Sequence, residues 1–586
     1  MDFLNLREHC GWVHEQKDAT EKARRLLNVA LNTEKKSLDT TRLNAGKDIL
    51  VTGTRFLVPV IEKLTGLANV SLLLTEPDHR MLRYNLPLYV GSIRSINGQI
   101  GDFTVEISAH QPVNFKRCIL CGRCVQVCPK GAIDFSLKID NACDQCGKCI
   151  DACPVEAINF QKNEAEPLIC GQIVVTEPGW EHTKKLGVHI NENGDISGAL
   201  IAAMDAIINI GVVKKYKILE VNDRCASGKS EIIGCTLCEL VCPHDAISRT
   251  GDNIIFNDVS CLGCGACTAV CPISIPKLHA YPDNSIYAQI DSLLTGKERL
   301  SNEIIMFTCV EQGQQVLDEL GKQHITYPPV LPILIPCINA VHEAHILYAF
   351  ESGADGVVLL GCENCKHKIN DNSPMNVIKT ILNAVDFNEK FAVIQADPNH
   401  PEALVHELYD FVDNLPSCEK RRKMVAGIKG DNKRFVLLDL IDNLPGKSGD
   451  FVQRGDIPFG NVTIDGECIM CNACMNMCPT EALNNRSGKI YFNYSLCIAC
   501  GLCEKACPEH VIRLEKILDI ARLSQRETIL AEPEQINCLA CNKPFITKGA
   551  IARVSDKLGP ENEIIELLYY CQDCRPIKAF EKGLLK

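Results

Sequence analysis

The chain has 586 residues, and a prior of about 100 to 200 residues per domain predicts three to five units. Its 35 cysteines, in a large intracellular protein, indicate metal or redox chemistry more than disulfides. The formal charge is -12 and there is no extended basic cluster, so the sequence does not indicate a nucleic-acid-binding surface. The longest apolar stretch, 198–213, carries Asp205 and falls short of the roughly 20 residues of a membrane span. No secretory signal is seen, so we expect a cytoplasmic protein without a membrane span.

The amino-terminal part of the chain combines a helical segment with an α/β scaffold. Residues 1–46 predict the helical segment, and residues 47–110 together with 165–220 predict the scaffold. Strand DILVTG, helix RFLVPVIEKL and strand VSLLLTE alternate, and a strand-like segment, ICGQIVVTE, follows the first cysteine-rich region. This layout resembles the flavoprotein subunit of heterodisulfide reductase, in which ferredoxin runs interrupt a nucleotide-binding fold.

The first turn of this scaffold bears on flavin binding. A dinucleotide fold needs glycines there, for the tight bend and for the approach of the backbone to the pyrophosphate. The turn at residues 52–57 reads TGTRFL, with bulky side chains where the glycines belong. We therefore expect a degenerate Rossmann-like scaffold that has lost its flavin, and we do not expect this chain alone to bifurcate electrons. An atypical flavin site is the alternative interpretation.

Six cysteine runs dominate the rest of the chain. The bacterial ferredoxin spacing for a 4Fe-4S cluster is C-x2-C-x2-C-x3-C-P, whose fourth cysteine ligates the neighbouring cluster. Five runs match this spacing: Cys118, Cys121, Cys124, Cys128; Cys143, Cys146, Cys149, Cys153; Cys261, Cys264, Cys267, Cys271; Cys468, Cys471, Cys474, Cys478; and Cys497, Cys500, Cys503, Cys507. The sixth run, Cys235, Cys238 and Cys242, lacks the leading cysteine, which Cys225 supplies if the loop bulges.

The runs come in adjacent pairs, and each pair resembles a bacterial dicluster ferredoxin. The resemblance predicts modules at 111–164, 221–282 and 461–520 with six 4Fe-4S clusters in total. The implied ligand sets are Cys118, Cys121, Cys124 with Cys153; Cys143, Cys146, Cys149 with Cys128; Cys225, Cys235, Cys238 with Cys271; Cys261, Cys264, Cys267 with Cys242; Cys468, Cys471, Cys474 with Cys507; and Cys497, Cys500, Cys503 with Cys478. Structural zinc is the alternative, but zinc knuckles are spaced farther apart than the cysteines of these runs.

Residues 300–416 alternate strand-like and helical runs, which predicts a small parallel sheet covered by helices. Cys309, Cys337 and Cys362 follow predicted strands, with Cys365 just beyond, and ligands gather at that edge of open α/β sheets. The segment PCINAVHEAHILYAFESGADGVVLLGCENCKH resembles the delta subunit of methyl-viologen-reducing hydrogenase. That resemblance implies a 2Fe-2S cluster on these four cysteines and electron transfer to heterodisulfide reductase. The alternative is four buried free thiols.

A linker with helical character is expected at 417–460, and a metal knuckle at 535–586. Cys538, Cys541, Cys571 and Cys574 form two CxxC pairs about 30 residues apart, the tetrathiolate arrangement of structural zinc. Rubredoxin-type iron binds the same ligands and remains open. The flanks CNKPF and YYCQDCR resemble a tail on ferredoxin-like proteins that accompany formate dehydrogenases. We expect a zinc-ribbon-like fold for this tail.

The sequence thus predicts a multidomain protein of α+β and α/β class that transfers electrons. We expect a subunit that relays single electrons between a partner oxidoreductase and a low-potential acceptor. The resemblances imply a hydrogenase, a formate dehydrogenase or a heterodisulfide-reductase-like partner. No catalytic residue is assigned. Two alternatives stand beside this interpretation: a flavin-dependent, heterodisulfide-reductase-like catalytic or bifurcating subunit, and an assembly factor for iron-sulfur clusters or metalloenzymes.

Overall fold

The computed structural model of the chain is a mixed α/β assembly of several units. The residues that it describes are 5–32, 40–54, 57, 61–62, 64–75, 86–108, 112–114, 117–135, 137–160, 167–180, 183, 185–190, 196–208, 212–214, 224–363, 365, 367, 374–416, 432–443, 451–525, 527–559 and 562–584. Parts of the predicted scaffold lie outside them, including 55–56 of the turn at 52–57, 58–60 and 63 of the predicted helix, 76–85, 209–211 and 215–220. Parts of the predicted linker, 417–431 and 444–450, lie outside them as well. No helix in these ranges has both the length and the apolar character needed to cross a bilayer.

A five-stranded parallel sheet forms the core of the amino-terminal scaffold. Its strands, in sheet order, are Leu88–Val90, Asn69–Leu74, Asp48–Gly53, Gln172–Val175 and Val188–Ile190. Numbered along the chain, this order is 3-2-1-4-5. The helix Ile196–Ile208 packs on the face that carries Ile49 and Val51, and the strand Thr40–Arg42 pairs with Val212–Lys214.

An antiparallel sheet lies beside this core and carries the first ferredoxin module as an insertion. Its strands are Ser92–Gln99, Asp102–Ser108 and Leu168–Cys170. The cysteine runs of residues 118–153 lie between its second and third strands along the chain. Phe103 and Val105 pack from this sheet onto Ile173 and Val175 of the parallel sheet.

The ferredoxin modules are small and consist mostly of cysteine loops. Each run contains one short helix, and these are Arg123–Val127, Lys148–Asp151, Leu237–Val241, Ala266–Val270, Ala473–Met477 and Leu502–Ala506. The strands of the second and third modules are Gly228–Lys229, Ile232–Ile233, Ile247–Thr250, Asn253–Phe256, Val452–Arg454, Gly460–Ile464, Leu483–Arg486, Lys489–Phe492, Ile512–Asp519 and Thr528–Ala531. The third module extends beyond its predicted bounds, because Val452–Arg454 pairs with Ile512–Asp519 and Thr528–Ala531 pairs with Lys489–Phe492.

The central α/β unit has a four-stranded parallel sheet, as its alternating sequence pattern predicts. The strands, in sheet order, are Val330–Ile335, Ile304–Cys309, Gly356–Cys362 and Phe391–Ala396. Its helices are Gln312–Lys322, Glu343–Glu351, Pro374–Ala384 and Glu402–Asp413, with short 3-10 turns at Ile338–Ala340 and Asn388–Lys390. Both central strands are buried along their whole length, which is typical of a parallel sheet covered on both faces.

Elements from distant parts of the chain surround this unit. They are the helices Gln16–Asn32, Asp283–Leu294 and Lys433–Asn443, with the π-helical turn Arg7–Gly11. The carboxyl-terminal tail adds the hairpin Gln535–Asn537 with Pro544–Thr547, the helices Lys548–Leu558 and Arg575–Glu581, and the 3-10 helix Glu563–Tyr569. The 3-10 turn Tyr494–Leu496 and the helix Ile520–Leu523 complete the third module.

Arg25 fixes the amino-terminal helix to the central unit. Its side chain is 1% exposed and forms an ion pair with Glu303, which is itself buried. The same guanidinium donates to the carbonyl oxygens of Leu293 at 2.9 Å and Glu298 at 2.8 Å, and to Glu21 at 3.2 Å. A buried cation with five donors is thereby fully paired.

Replacing Arg25 with leucine would leave the buried Glu303 without its cation, and would leave Glu21 paired only with Arg24. We expect the free energy of unfolding, measured by urea denaturation, to fall by roughly 3–5 kcal/mol. Lys17→Leu is the matched control, because Lys17 is an exposed cation on the same helix and its loss should cost less than about 1 kcal/mol. Equal effects of the two substitutions would contradict this role for Arg25.

Candidate functional site

The cysteine loops share an unusual backbone conformation. In the five regular runs, the residue two positions after the first cysteine has a positive φ, and these residues are Leu120, Gln145, Gly263, Met470 and Ala499. A side chain in this conformation costs roughly 1–3 kcal/mol and persists only where the surroundings demand it. In these loops it turns N–H groups inward, as where Met470 N–H donates to Cys468 Sγ at 3.5 Å and Gln145 N–H to Cys143 Sγ at 3.4 Å.

The end of each run repeats a second feature. In all six runs, the residue three positions after the last cysteine also has a positive φ, and these residues are Gly131, Glu156, Asp245, Ser274, Glu481 and His510. In three of the runs the next N–H donates to the cysteine sulfur: Ala132 to Cys128 at 3.3 Å, Ala157 to Cys153 at 3.2 Å, and Ile275 to Cys271 at 3.4 Å. Such donors favour the thiolate over the thiol.

The sixth run departs from this loop and is completed by a hairpin. Leu237 has no positive φ, and Thr236 before it has a φ of -125°. The strands Gly228–Lys229 and Ile232–Ile233 pair instead, and Cys235 N–H donates to Ala226 O at 2.7 Å. This hairpin brings Cys225 beside Cys235 despite the ten residues that separate them along the chain.

Four of the six predicted ligand sets line their own cavities. These are Cys118, Cys121, Cys124, Cys153; Cys225, Cys235, Cys238, Cys271; Cys468, Cys471, Cys474, Cys507; and Cys478, Cys497, Cys500, Cys503. In the fifth set, Cys264 and Cys267 each interact electrostatically with both Cys242 and Cys261. In the sixth, Cys149 interacts with Cys143 and shares an apolar cluster with Cys128, while Cys146 is exposed.

The donor chemistry of these cavities fits an iron-sulfur cluster. Burial raises the pKa of Cys235, Cys264 and Cys500 to about 12, so a lone thiol at these positions would keep its proton. Four thiolates can share such a cavity only when cations within it balance their charge. The iron ions of a cluster provide that charge, and cysteine thiolates are the ligands that they require.

The four cysteines of the central unit also converge. Cys309 and Cys362 end the two central strands at the point where the strand order reverses, and their sulfurs lie 3.4 Å apart. Cys337 and Cys365 interact beside them. The contact with Cys362 lowers the pKa of Cys309, and the Glu311 N–H donates to Cys309 Sγ at 3.4 Å. Four thiols gathered in this way fit the ligand set of a 2Fe-2S cluster.

The carboxyl-terminal cysteines form a compact tetrathiolate. The sulfurs of Cys538, Cys541, Cys571 and Cys574 all lie within 4.8 Å of one another. Cys541 and Cys571 are 3.6 Å apart, close to the edge of about 3.8 Å in a tetrahedral zinc site. Burial raises the pKa of Cys538, but the N–H groups around its sulfur outweigh burial and lower that pKa below its usual value. These ligands fit a tetrahedral metal ion.

Two histidine-containing groups were not anticipated from the sequence. His244 and His367 are buried near Cys264, with Nε2 and Nδ1 2.7 Å apart, and the His367 N–H donates to Cys365 Sγ at 3.3 Å. His342 and His345 lie beside Asp283. Their H-x-x-H spacing at a helix start was visible in the sequence and could have drawn attention to them.

Comparisons with known proteins agree with the cysteine geometry. A family model described as methyl-viologen-reducing hydrogenase, delta subunit, matches residues 304–417. Three models described as 4Fe-4S dicluster domains match residues 68–168, 233–275 and 467–512. The chain therefore carries 4Fe-4S dicluster domains and a domain similar to the hydrogenase delta subunit.

Curated relatives match parts of the chain. An uncharacterized ferredoxin of Methanocaldococcus jannaschii is 43% identical over 94 residues, which are 16% of this chain and 46% of that protein. An iron-sulfur subunit of the CoB–CoM heterodisulfide reductase of Methanopyrus kandleri is 26% identical over 163 residues, 22% of this chain and 25% of that protein. The polyferredoxin-like subunit of the aliphatic sulfonate oxidoreductase of Pyrococcus furiosus is 37% identical over 60 residues, 10% of this chain and 35% of that protein. The chain spans less than half of each of these relatives.

The irregular run can be tested through its distant ligand. We expect Cys225→Ala to lower the iron content of anaerobically purified protein by about four irons per chain, the content of one cubane. Cys170→Ala is the control, because Cys170 is a buried thiol in the antiparallel sheet and belongs to none of the ligand sets. Unchanged iron in Cys225→Ala would exclude Cys225 as a ligand.

The carboxyl-terminal site can be tested in the same way. We expect Cys541→Ser to remove about one zinc ion per chain and to leave iron and acid-labile sulfide unchanged. Metal analysis of the intact chain measures all three quantities. Loss of one iron with retention of zinc would assign rubredoxin-type iron to this site instead.

Proposed function

We propose that this chain is a multi-cluster iron-sulfur electron-transfer subunit, which relays single electrons between a partner oxidoreductase and a low-potential acceptor. The observation that carries the proposal is that the cysteine sets of three units adjoin one another in series. The clusters, when bound, supply one-electron redox chemistry. The protein fixes their order and surroundings.

The series begins at the central α/β unit. Cys264, of the second module, interacts with both Cys337 and Cys365, and Cys337 packs with Cys264 in one buried apolar cluster. The buried pair of His244 and His367 lies against the same junction. The central site and the set of Cys242, Cys261, Cys264 and Cys267 are therefore neighbours.

The series continues from the second module to the third. Within the second module, Cys267 interacts with Cys238, and Cys235 in turn interacts with Cys500 of the third module. Ile498, next to the ligand Cys497, lines the cavity of the second module. A hydrogen bond also joins the two modules, because Lys505 Nζ of the third donates to Ile233 O of the second at 2.7 Å.

The third module extends the series toward the carboxyl-terminal site. Cys503 interacts with Cys474, which links the two ligand sets of this module. The tail packs on the outer loop, where Thr547 Oγ1 donates to Ile469 O at 3.2 Å and Arg553 pairs with Glu509 at 3.1 Å. This contact supports a structural role for a zinc-ribbon-like tail that packs against the loop of the last cluster site and leaves Cys471 exposed.

The resemblances supply candidates for the partner. One domain is similar to the delta subunit of a hydrogenase, and one relative is named as part of heterodisulfide reductase, which supports a partner from one of those two complexes. Exchange with partners is easiest where ligand loops reach the surface, and Cys121, Cys146 and Cys471 are exposed. The first module and the outer end of the third are therefore proposed as the exchange points.

The amino-terminal scaffold supports a role without flavin. We interpret its 3-2-1-4-5 parallel sheet as Rossmann-like, since that strand order is the dinucleotide-binding one. In such folds the pyrophosphate lies against the turn after the first strand, here at Gly53. A Cβ at Gly53 would overlap the side chain of Leu57, which is buried on that turn beside Ile61. The Leu57 side chain so close to Gly53 supports a scaffold without flavin.

Metal and flavin analysis tests the proposal directly. Anaerobically purified protein should contain about 24 irons from six cubanes, with two more from the central site, and no stoichiometric flavin after acid extraction. Fewer than about 16 irons, the content of four cubanes, would refute the relay. Stoichiometric flavin would instead favour a heterodisulfide-reductase-like catalyst.

Two buried cations stand at the junction of the second and third modules. Lys433 Nζ donates to Ala269 O at 2.6 Å, and Arg434 Nη2 donates to Cys497 O at 2.6 Å. Arg434 also lies 3.8 Å from the centre of the Phe459 ring. Burial lowers the pKa of Arg434 to about 10, so it remains charged at neutral pH. A cation at this position favours the reduced, more negative state of a neighbouring cluster.

We expect Arg434→Leu to shift the midpoint potential of one cluster downward by roughly tens of millivolts in a redox titration followed by electron paramagnetic resonance. Arg434→Lys retains the charge and should largely retain the potential. Arg454→Leu is the control, because that side chain is 74% exposed. Potentials that do not respond to Arg434→Leu, with iron content intact, would show that this cation does not tune the relay.

A further inference from the structure

A group of nitrogen and oxygen ligands lies in the central unit, apart from every cysteine set. Asp283 is the first residue of the helix Asp283–Leu294, and His342 and His345 lie at the start of the helix Glu343–Glu351. These two helices pack together, so residues about 60 positions apart along the chain meet. The ligand atoms of the three residues lie within 4.8 Å of one another.

The two imidazoles are buried but poorly satisfied. His342 is 2% exposed and His345 is 0% exposed, and their rings stack with centroids 3.6 Å apart. Among the residues that the structure describes, neither ring nitrogen of His342 has a hydrogen-bond partner, and His345 Nε2 has none either. Leaving such groups unpaired in the interior costs about 1–3 kcal/mol each. Something other than these side chains is needed to satisfy them.

The distances distinguish between a hydrogen-bonded group and a metal site. Asp283 Oδ1 lies 3.3 Å from the Nε2 atoms of both His342 and His345. An ordinary N–H···O hydrogen bond is shorter, with a mode of about 2.9–3.0 Å. A tetrahedral ion with bonds of about 2.0–2.1 Å separates its ligand atoms by about 3.3 Å. These two separations match the tetrahedral edge, and the stacked rings must rotate apart for both Nε2 lone pairs to point at one ion.

The protonation state requires one adjustment. His345 is fully buried, and a neutral imidazole has one lone pair to offer an ion. His345 Nδ1 accepts a long hydrogen bond, 3.4 Å, from the His342 N–H. Binding an ion through Nε2 moves the proton to Nδ1 and gives up this bond, which is worth about 1 kcal/mol. A metal–nitrogen bond far exceeds that cost.

We propose that Asp283, His342 and His345 bind a divalent transition-metal ion, with zinc or ferrous iron as the ions that suit two imidazoles and a carboxylate. Three protein ligands leave one coordination position open. The Asp283 side chain is 34% exposed, so that position faces water. The site is separate from the thiolate clusters in ligand chemistry and is independent of the proposed relay.

The test counts metal that belongs to no cluster. Iron-sulfur clusters of both kinds hold one iron per sulfide, so total metal minus acid-labile sulfide gives the other ions in the intact, anaerobically purified chain. After dialysis against zinc sulfate and then buffer, we expect about one ion fewer in Asp283→Ala and in His342→Gln/His345→Gln than in wild type. His400→Gln, with a side chain 72% exposed, is the matched control and should lose none.

Two further measurements make the outcome decisive. If the double histidine variant also loses sulfide, it has not folded, and Asp283→Ala, at a partly exposed position, decides the question. In a Cys541→Ser/Cys574→Ser background, X-ray absorption of the remaining zinc should show nitrogen and oxygen neighbours at about 2.0–2.1 Å. Equal metal counts in Asp283→Ala and wild type, or a remaining zinc shell of sulfur alone, would overturn the proposal.

Discussion

A thiolate removed from water needs hydrogen-bond donors or positive charge beside it, and most of the described chain is arranged around this constraint. The cysteine loops meet it with backbone positions of positive φ that turn N–H groups toward sulfur. The apolar clusters around the loops of the first two modules are small. In the first module, the buried members are Val113, Ile133, Leu137, Cys149 and Ile158. Bound metal must therefore contribute much of the folding free energy of these modules.

The central unit has a different basis for its stability. Its two buried strands and surrounding helices form a continuous apolar core that also reaches the third module. Long cationic side chains complete the joints around this core: Arg25 at the amino-terminal helix, and Lys433 and Arg434 between two ferredoxin modules. Each ferredoxin module holds only two cluster sites. The order of the cysteine sites along the molecule therefore follows from these joints, which determine which modules are neighbours.

Features that are local in the chain were predictable from the sequence. Cysteine spacing indicated the six runs, the resemblance to dicluster ferredoxins implied how their ligands interleave, and alternation of apolar runs indicated the parallel sheet that brings Cys309 and Cys362 together. Features that depend on packing between units were not. Cys235 and Cys500 pack against one apolar cluster that joins two modules, and Arg434 lay in a segment interpreted as a linker. His342 and His345 were visible as a pair, but Asp283 joins them only through helix packing, which no local pattern encodes.

The insertion of the first module between two paired strands has a mechanical consequence. Val105 before the module is directly opposite Leu168 after it, so the chain leaves and re-enters the scaffold at neighbouring points. A module held at both ends by one sheet has little freedom to swing, unlike one attached by a single linker. Val90 of the parallel sheet also packs against the apolar cluster of the module, so its two cluster sites stay near the scaffold. A partner would then meet a docking surface of constant geometry and not a tethered carrier that searches for it.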